Sequence, residues 1–389
     1  MTSRITNPTL GPFKRGMNNR LPDHALFDVE ERVQLLRSAT NVDVTNAGTL
    51  RRRPGYVKLV PGTDCHSLAK IGDRHYFVDG QDLKIVLPDR TVVTPRSGLE
   101  PGARMSFSAT PVGDVLFANG HEMGRIVGDE ALPLAAPAAP PPTVSAVVGV
   151  MPAGAYQVAI AFASALGLGP ASTPVLITLE SPGGLAVEVP ALPAGAEEVN
   201  IYLTAPNGQT LQRARTVSSA GTVLITSVGP LGARCYTQNL AELPVGRIVR
   251  SHMGRVLVAT GNTLCFSEPY SALCVPSKGY IPLPAEITVV EPCENGVYVV
   301  ADQAYWFAGD LAETEPRVVL PYGAPFGGSG AVPNGKAVWW MSHRGLVRAD
   351  NNGVAKNLQE RDIDFPLMDS AAGTFIERGG LKQFLVSTR

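Results

Sequence analysis

The stretch Glu294-Asn-Gly-Val-Tyr-Val-Val-Ala-Asp-Gln-Ala-Tyr-Trp-Phe307 decides the fold class. Asn295 and Gly296 make a tight-turn signal, an apolar run follows, Asp302 and Gln303 make a second polar turn, and a second apolar run closes the stretch. Short runs of β-branched and aromatic residues between turn residues read as strands, and two such runs about a short turn read as an antiparallel hairpin. The same form, turn then strand then polar turn then strand, is present in Gly254-Arg-Val-Leu-Val-Ala-Thr-Gly-Asn-Thr-Leu-Cys-Phe266 and in Asn334-Gly-Lys-Ala-Val-Trp-Trp-Met-Ser-His-Arg-Gly-Leu-Val-Arg348.

Upstream, shorter alternating runs at His66-Ser-Leu-Ala-Lys-Ile, Asp73-Arg-His-Tyr-Phe-Val-Asp-Gly80, Leu83-Lys-Ile-Val-Leu87 and Asp114-Val-Leu-Phe-Ala-Asn-Gly-His121 read as further meander strands. The hairpins recur about every 40 residues, the length of a four-stranded propeller blade. Two unrelated β-sandwiches with ordinary hairpins are the alternative reading.

Composition agrees with an all-β chain. Of 389 residues, 44% are hydrophobic and 17% charged, while Gly (40) and Pro (33) make up nearly a fifth, which favours short strands and turns over long helices. The length suggests two or three domains. A net charge of -1 argues against sequence-specific DNA binding, which needs a clear basic excess. With no run of about 18 apolar residues and no apolar stretch of signal-peptide type at the N-terminus, the expectation is a soluble protein made in a cytoplasm. Cys65, Cys235, Cys265, Cys274 and Cys293 are odd in number and contain no C-x-x-C pair, so reduced thiols are expected.

The tract Ala131-Leu-Pro-Leu-Ala-Ala-Pro-Ala-Ala-Pro-Pro-Pro142 cannot join a sheet interior and marks a boundary. Beyond it come several short alternating strands without a Cys…Trp…Cys core, which read as an immunoglobulin-like sandwich of fibronectin type III style. The expected organisation is an N-terminal arm with a short helix over 1–50, a first part of a β-propeller over 51–139, a fibronectin III-like sandwich insertion over 140–233, and a second propeller part over 234–389. Val29, Val33 and Leu36 stand at helical spacing and place the helix within Asp28-Val-Glu-Glu-Arg-Val-Gln-Leu-Leu-Arg37. A last strand is expected near Leu381-Lys-Gln-Phe-Leu-Val386.

The runs Gly16-Met-Asn-Asn and Leu36-Arg-Ser-Ala-Thr-Asn-Val-Asp-Val-Thr-Asn-Ala-Gly-Thr-Leu-Arg-Arg-Arg-Pro-Gly-Tyr56 resemble the N-terminal signature of phage virion proteins related to tail nozzle and tail-hub subunits, the tail tubular protein B-like group. Arg255-Val-Leu-Val-Ala-Thr-Gly-Asn-Thr-Leu-Cys-Phe-Ser-Glu-Pro-Tyr270 looks like a blade of that group. The resemblance covers the arm and the two meander portions, somewhat more than half the chain. It implies a structural, non-enzymatic subunit of a homo-oligomeric ring, with a hexamer expected, in the tail of a virion. Phage DNA would pass transiently through its lumen, and other tail proteins, such as an adaptor or portal-proximal ring and tail fibres, would dock on it. No catalytic residue comes with the resemblance.

Arg51, Arg52 and Arg53 form the only dense basic cluster, read as a strand edge or subunit ion pair, or as a lumen contact with DNA phosphate. Trp306 lies in one aromatic cluster and Trp339 and Trp340 in another. Neighbouring strand residues face opposite ways, so core packing and an interface role divide them. These six are the candidate assembly or lumen contacts; no catalytic, cofactor or metal residue is expected. Gly-x-Ser-x-Gly and phosphate-loop motifs are absent, and the six histidines lack ligand spacing. Asp350-Asn-Asn-Gly353 has Arg361 where a calcium loop needs a bidentate glutamate, and reads as a turn. The alternatives to a tail subunit are a receptor-binding or adhesion hub contacting host glycan and, behind it, a glycan hydrolase.

Overall fold

The computed structural model describes residues 11–28, 30, 32–164, 167–269, 274–327, 329–331, 335–378 and 381–388. The fold is all-β, with one 3-10 turn at Asp23–Ala25 as the only helical element among the described residues. Among the described residues five four-stranded antiparallel meanders carry it, the pattern of propeller blades. They comprise Cys65–Ile71 to Val92–Arg96, Ser106–Ala109 to Glu130–Pro133, Ile248–His252 to Tyr280–Pro282, Val289–Cys293 to Arg317–Leu320, and Ser329–Ala331 to Ala355–Asn357. In the chain, the second and third meanders are separated by two further sheets. One is the three-stranded sheet Thr143–Met151, Gly183–Val189 and Gly221–Ile225, with Thr143–Met151 at its edge. The other runs Gly167–Leu168, Gly154–Ser164, Glu198–Leu203 and Gln212–Val217, with Val175–Leu179 also paired to Gly154–Ser164.

The chain divides into two compact units. One comprises Thr63–Val290 with Asp310–Glu313; the other comprises the residues up to Gly62 with Glu291–Gly309 and Thr314–Arg389.

In the first unit, the strand Val115–Ala118 shows why blade strands read as unbroken apolar runs. Val115 and Phe117 pack with Tyr76, Val78, Leu83 and Ile85 of the preceding meander, while Leu116 and Ala118 pack with Val249, Val256 and Val258 of the following one. Alternate residues leave a strand on opposite faces, and here both faces are buried. The two intervening sheets share one core, in which Tyr156, Val158, Ile160 and Phe162 meet Leu185, Val187, Val189 and Ile225. They form a sandwich.

In the second unit, Val297, Tyr298, Val299 and Val300 are fully buried. The hairpin Ala371–Arg378 with Leu381–Thr388 lies in the same unit, where Ala371 and Val386 pack with Met341 and Met368.

The helix expected over 28–37 does not form. Val29 and Glu31 lie outside the described residues, but Phe27–Asp28 pairs with Val33–Gln34 as antiparallel strands, and Leu35 N donates to Leu26 O at 2.8 Å. Arg32, at φ 52°, lies in the turn. Val33 and Leu35 are the buried pair, at a spacing of two, so the strand period overrides the helical stripe. An isolated helix of about ten residues is marginal in water, whereas a ladder with upstream backbone satisfies the same polar groups. The arm is therefore folded over 11–52. Its second hairpin pairs Val42–Val44 with Leu50–Arg52, and Gly48 in its turn has φ +81° with Phe13 N donating to its carbonyl at 2.7 Å. A Cβ at Gly48 would stand 2.7 Å from both Lys14 Cγ and Pro12 Cβ, so side chain and backbone conformation both require glycine.

Candidate functional site

The run Gly16-Met-Asn-Asn19 is a clasp in the second unit. Met17 bridges Leu36 in parallel, with Leu36 N donating to Gly16 O at 2.9 Å and Asn18 N donating to Leu36 O at 2.8 Å. This presents Asn18, only 3% exposed, to two sets of partners. Its Oδ1 accepts from Arg20 N at 3.0 Å and Leu21 N at 2.9 Å, and its Nδ2 donates to Asp362 Oδ1 at 2.9 Å. Asn19 N donates to Asp362 O at 3.0 Å. The Asn19 amide reads the backbone of Asp364 from both sides, donating to its carbonyl at 3.0 Å and accepting from its N–H at 2.6 Å. Arg20 Nη2 then pairs with the Asp364 carboxylate at 3.2 Å, an exposed bond of small energy beside the half-buried contacts of the Asn18 amide.

A second tie holds the other arm hairpin. Asp43, 7% exposed, receives Arg53 Nε at 2.8 Å and Gln383 Nε2 at 3.4 Å. The hydrogen bond from Arg53 holds the Asp43 carboxyl below the usual carboxylate range, against the opposing effect of burial. Arg53 is thereby a structural ion pair, whereas Arg51 and Arg52 are exposed.

Beside the clasp lies a half-open cavity of about 330 Å³ lined by Arg20, His343, Arg344, Glu360, Ile363, Asp364 and Phe365. Arg344 lies over the Tyr322 ring, 4.7 Å from its centroid, and reaches Glu360 at 3.4 Å. Asn357 Nδ2 donates to the Tyr322 hydroxyl at 3.1 Å and to Arg344 O at 3.0 Å. The lining thus sets each of two guanidiniums against a carboxylate and carries no hydroxyl or thiol. Among the described residues no three His, Cys, Asp or Glu side chains stand together as metal ligands. Asp350 Oδ1 accepts from Asn352 N at 2.8 Å and Val354 N at 3.0 Å, making the Asp350–Gly353 segment a side-chain-closed turn.

The tryptophans divide by face. Trp306 is 5% exposed and Trp340 fully buried, both against Tyr298 at centroid distances of 4.5 and 5.5 Å. Burial carries the Tyr298 phenol well above its ordinary value while its hydroxyl donates to Asp350 O at 2.6 Å. Trp306 and Trp340 are therefore core residues and leave the set of candidate contact residues. Trp339 points the other way, half-buried against Phe375 at 6.1 Å and Phe384 at 6.0 Å, with Arg348 over its ring. Of the six candidate residues, Arg51 and Arg52 stay on the surface, Arg53 is ion-paired, and the three tryptophans serve packing. Nothing local marks Arg361-Asp-Ile-Asp-Phe-Pro366, which carries Asp362 and Asp364, as the partner of a segment more than 340 residues away.

No family model matches the chain, and no curated protein matches it. Among solved structures it is similar to a streptogramin B lyase at 11% identity, over 85% of this chain and 95% of that one, with a TM-score of 0.34. It is similar to the C-terminal WD40 domain of Sif2 at 10% identity, over 89% and 88%, with a TM-score of 0.38. AztD from Citrobacter koseri, in its apo form, matches at 14% identity over 75% and 84%, with a TM-score of 0.29. At these scores the fold rests on the chain's own strand pairing. No helix among the described residues is long and apolar enough to cross a membrane.

Proposed function

We propose that the chain is a structural subunit of a bacteriophage tail, of the nozzle or hub ring type, which forms part of the conduit for genome ejection and a platform for other tail proteins. The observation that carries this reading is the use made of the signature residues. Met17, Asn18 and Asn19 form the clasp and Asp43 with Arg53 the second tie, so the residues that carry the resemblance have architectural roles. The same signature leaves Arg51, Arg52 and Tyr56 on the surface, available to a neighbour. Subunits repeated about an axis would present loops to a lumen through which DNA passes without sequence recognition, in keeping with a net charge of -1.

The test is native mass by light scattering across a concentration series, with negative-stain imaging of the large species. Rings with a central hole are expected. A chain that remains single at every concentration, alone and co-expressed with candidate neighbours from a phage tail, would count against the reading.

A further inference from the structure

We infer that the subunit contact of this chain is a strand addition, in which residues 54–60 of one copy lie along the edge strand Thr143–Met151 of the next. The inference rests on the ring reading above and names the two surfaces that would build it.

The donor is an unpaired segment. After Arg53 N donates to Asn41 O, residues 54–62 take part in no backbone–backbone hydrogen bond among the described residues. Pro54 and Pro61 bracket the segment, and the residue before a proline is held to extended geometry. Its apolar side chains face solvent: Tyr56 is 77% exposed, Val57 93% and Leu59 59%. A backbone without partners and apolar side chains on successive positions is what a strand added to another sheet requires.

The acceptor is the longest edge strand without a charge or a proline among the described residues; Gly221–Ile225 and Val175–Leu179 share that lack but are five residues each. The last strand of each of the five meanders carries a charge or a proline that discourages pairing, namely Arg96, Glu130, Pro282, Arg317 and Lys356. Thr143–Met151 is an edge strand of nine residues with neither. Its register shifts between Val147 and Met151, where Val150 N donates to Thr226 O at 2.7 Å, so the regular ladder open to a partner is Thr143 to Val147. Val148 is 94% exposed and Val150 75%, and Leu176 on Val175–Leu179 of the other sheet is 67% exposed. Such an edge is a template for another chain unless it is covered.

Charge selects the occupant. Residues 44–63 contain Arg51, Arg52, Arg53 and Lys58 and no acid. Residues 131–212 contain Glu180, Glu188, Glu197 and Glu198 and no base, and all four glutamates are exposed. Glu188 stands directly across the ladder from Thr143 at the start of the acceptor strand. A basic apolar donor and an acidic apolar acceptor on one chain are two unlike surfaces. Contact between them is heterologous, and heterologous contacts that close generate rings.

The experiment uses two full-length variants. Tyr56→Ser, Val57→Ser and Leu59→Ser together remove the donor's apolar side chains, and Val148→Lys with Val150→Lys charges the acceptor edge; all five positions are largely exposed, so each chain should fold as before. Circular dichroism and thermal melting check the fold, and light scattering reads the mass. Each variant alone should fall to the mass of one chain. An equimolar mixture should give particles of two chains, because one variant keeps its donor and the other its acceptor. Rings that persist in both variants overturn this inference and leave the ring reading standing. Loss of assembly in the edge variant alone also overturns it, in favour of two edges pairing about a twofold axis. A wild-type chain that is single at every concentration, both alone and co-expressed with candidate neighbours from a phage tail, overturns both.

Discussion

Asn18 and Asp362 are 344 positions apart in sequence and joined by a 2.9 Å hydrogen bond from a side-chain amide to a carboxylate, with Asn18 3% exposed. The same amide closes the turn that follows through Arg20 N and Leu21 N. One residue therefore both shapes the arm and ties it to the loop before the C-terminal hairpin.

Asn18→Ala strands two backbone donors and one carboxylate at once. The three bonds are half-buried, so solvent satisfies part of what is lost and the expected cost is about 1 kcal/mol, the net worth of ordinary hydrogen bonds. Denaturant unfolding checks it. Asn19→Ala keeps the turn and removes only the contacts to Asp364, so it should cost less.

Acid should unfold the protein through a small set of carboxylates. Arg53 at Asp43, Lys84 at Asp79 and Arg255 at Asp310 each hold the acid below its ordinary range, and Asp79 also accepts from Thr63 N at 3.1 Å and Asp64 N at 3.3 Å. A folded-state value below the unfolded one contributes stability above the unfolded value and loses it as pH falls through the folded one. Stability should therefore be flat for these groups from neutral pH down to roughly pH 5 and fall below about pH 4, where unfolded carboxylates take up protons. Urea midpoints measured across that range test this, and Asp79→Asn should shallow the slope.

Thiol chemistry should distinguish one cysteine from four. Cys65 is exposed, while Cys235, Cys265, Cys274 and Cys293 are buried. Burial raises the thiols of Cys235 and Cys265 and pushes Cys293 up to about 11, so little thiolate is present at neutral pH. Native protein should label rapidly at one thiol and at five after denaturation, with mass spectrometry locating the first at Cys65.

Two glycines with left-handed backbones should respond differently to alanine. Gly309, at φ +65°, faces open space, so Gly309→Ala meets backbone strain alone, about 1 kcal/mol. Gly353, at φ +82°, would also set its Cβ 2.5 Å from Trp306 Cδ1 and 2.7 Å from Trp306 Nε1. Gly353→Ala should therefore cost about 1–3 kcal/mol more, by overpacking, and should shift tryptophan emission, which Gly309→Ala should leave unchanged.

The aromatic clusters show where local reading stops. Alternation alone implies that Trp339 and Trp340 point to opposite faces, and they do. It does not say which face is covered. The hairpin bearing Phe375 and Phe384 covers one and Tyr298 fills the other, and each partner lies more than 30 residues away in the chain. For the same reason the spacing of Val29, Val33 and Leu36 pointed to a helix: the competing partners, Leu26 with Phe27 and Gly16 with Asn18, lie outside the helical window and act only once the chain has turned back on itself.

The all-β class and the meander hairpins are legible in the sequence alone. Turn chemistry and the two-residue period act over a few positions and need no partner to be legible. Tertiary structure alone decided that Asn18 and Asn19 close on Asp362 and Asp364, that Arg53 is ion-paired while Arg51 and Arg52 are exposed, and that Trp306 is buried while Tyr56 is not. The cost of closing a loop grows only slowly with its length, so residues hundreds of positions apart compete on nearly equal terms for a partner. Packing and hydrogen-bond geometry then select among them, and neither is written in any short stretch of chain.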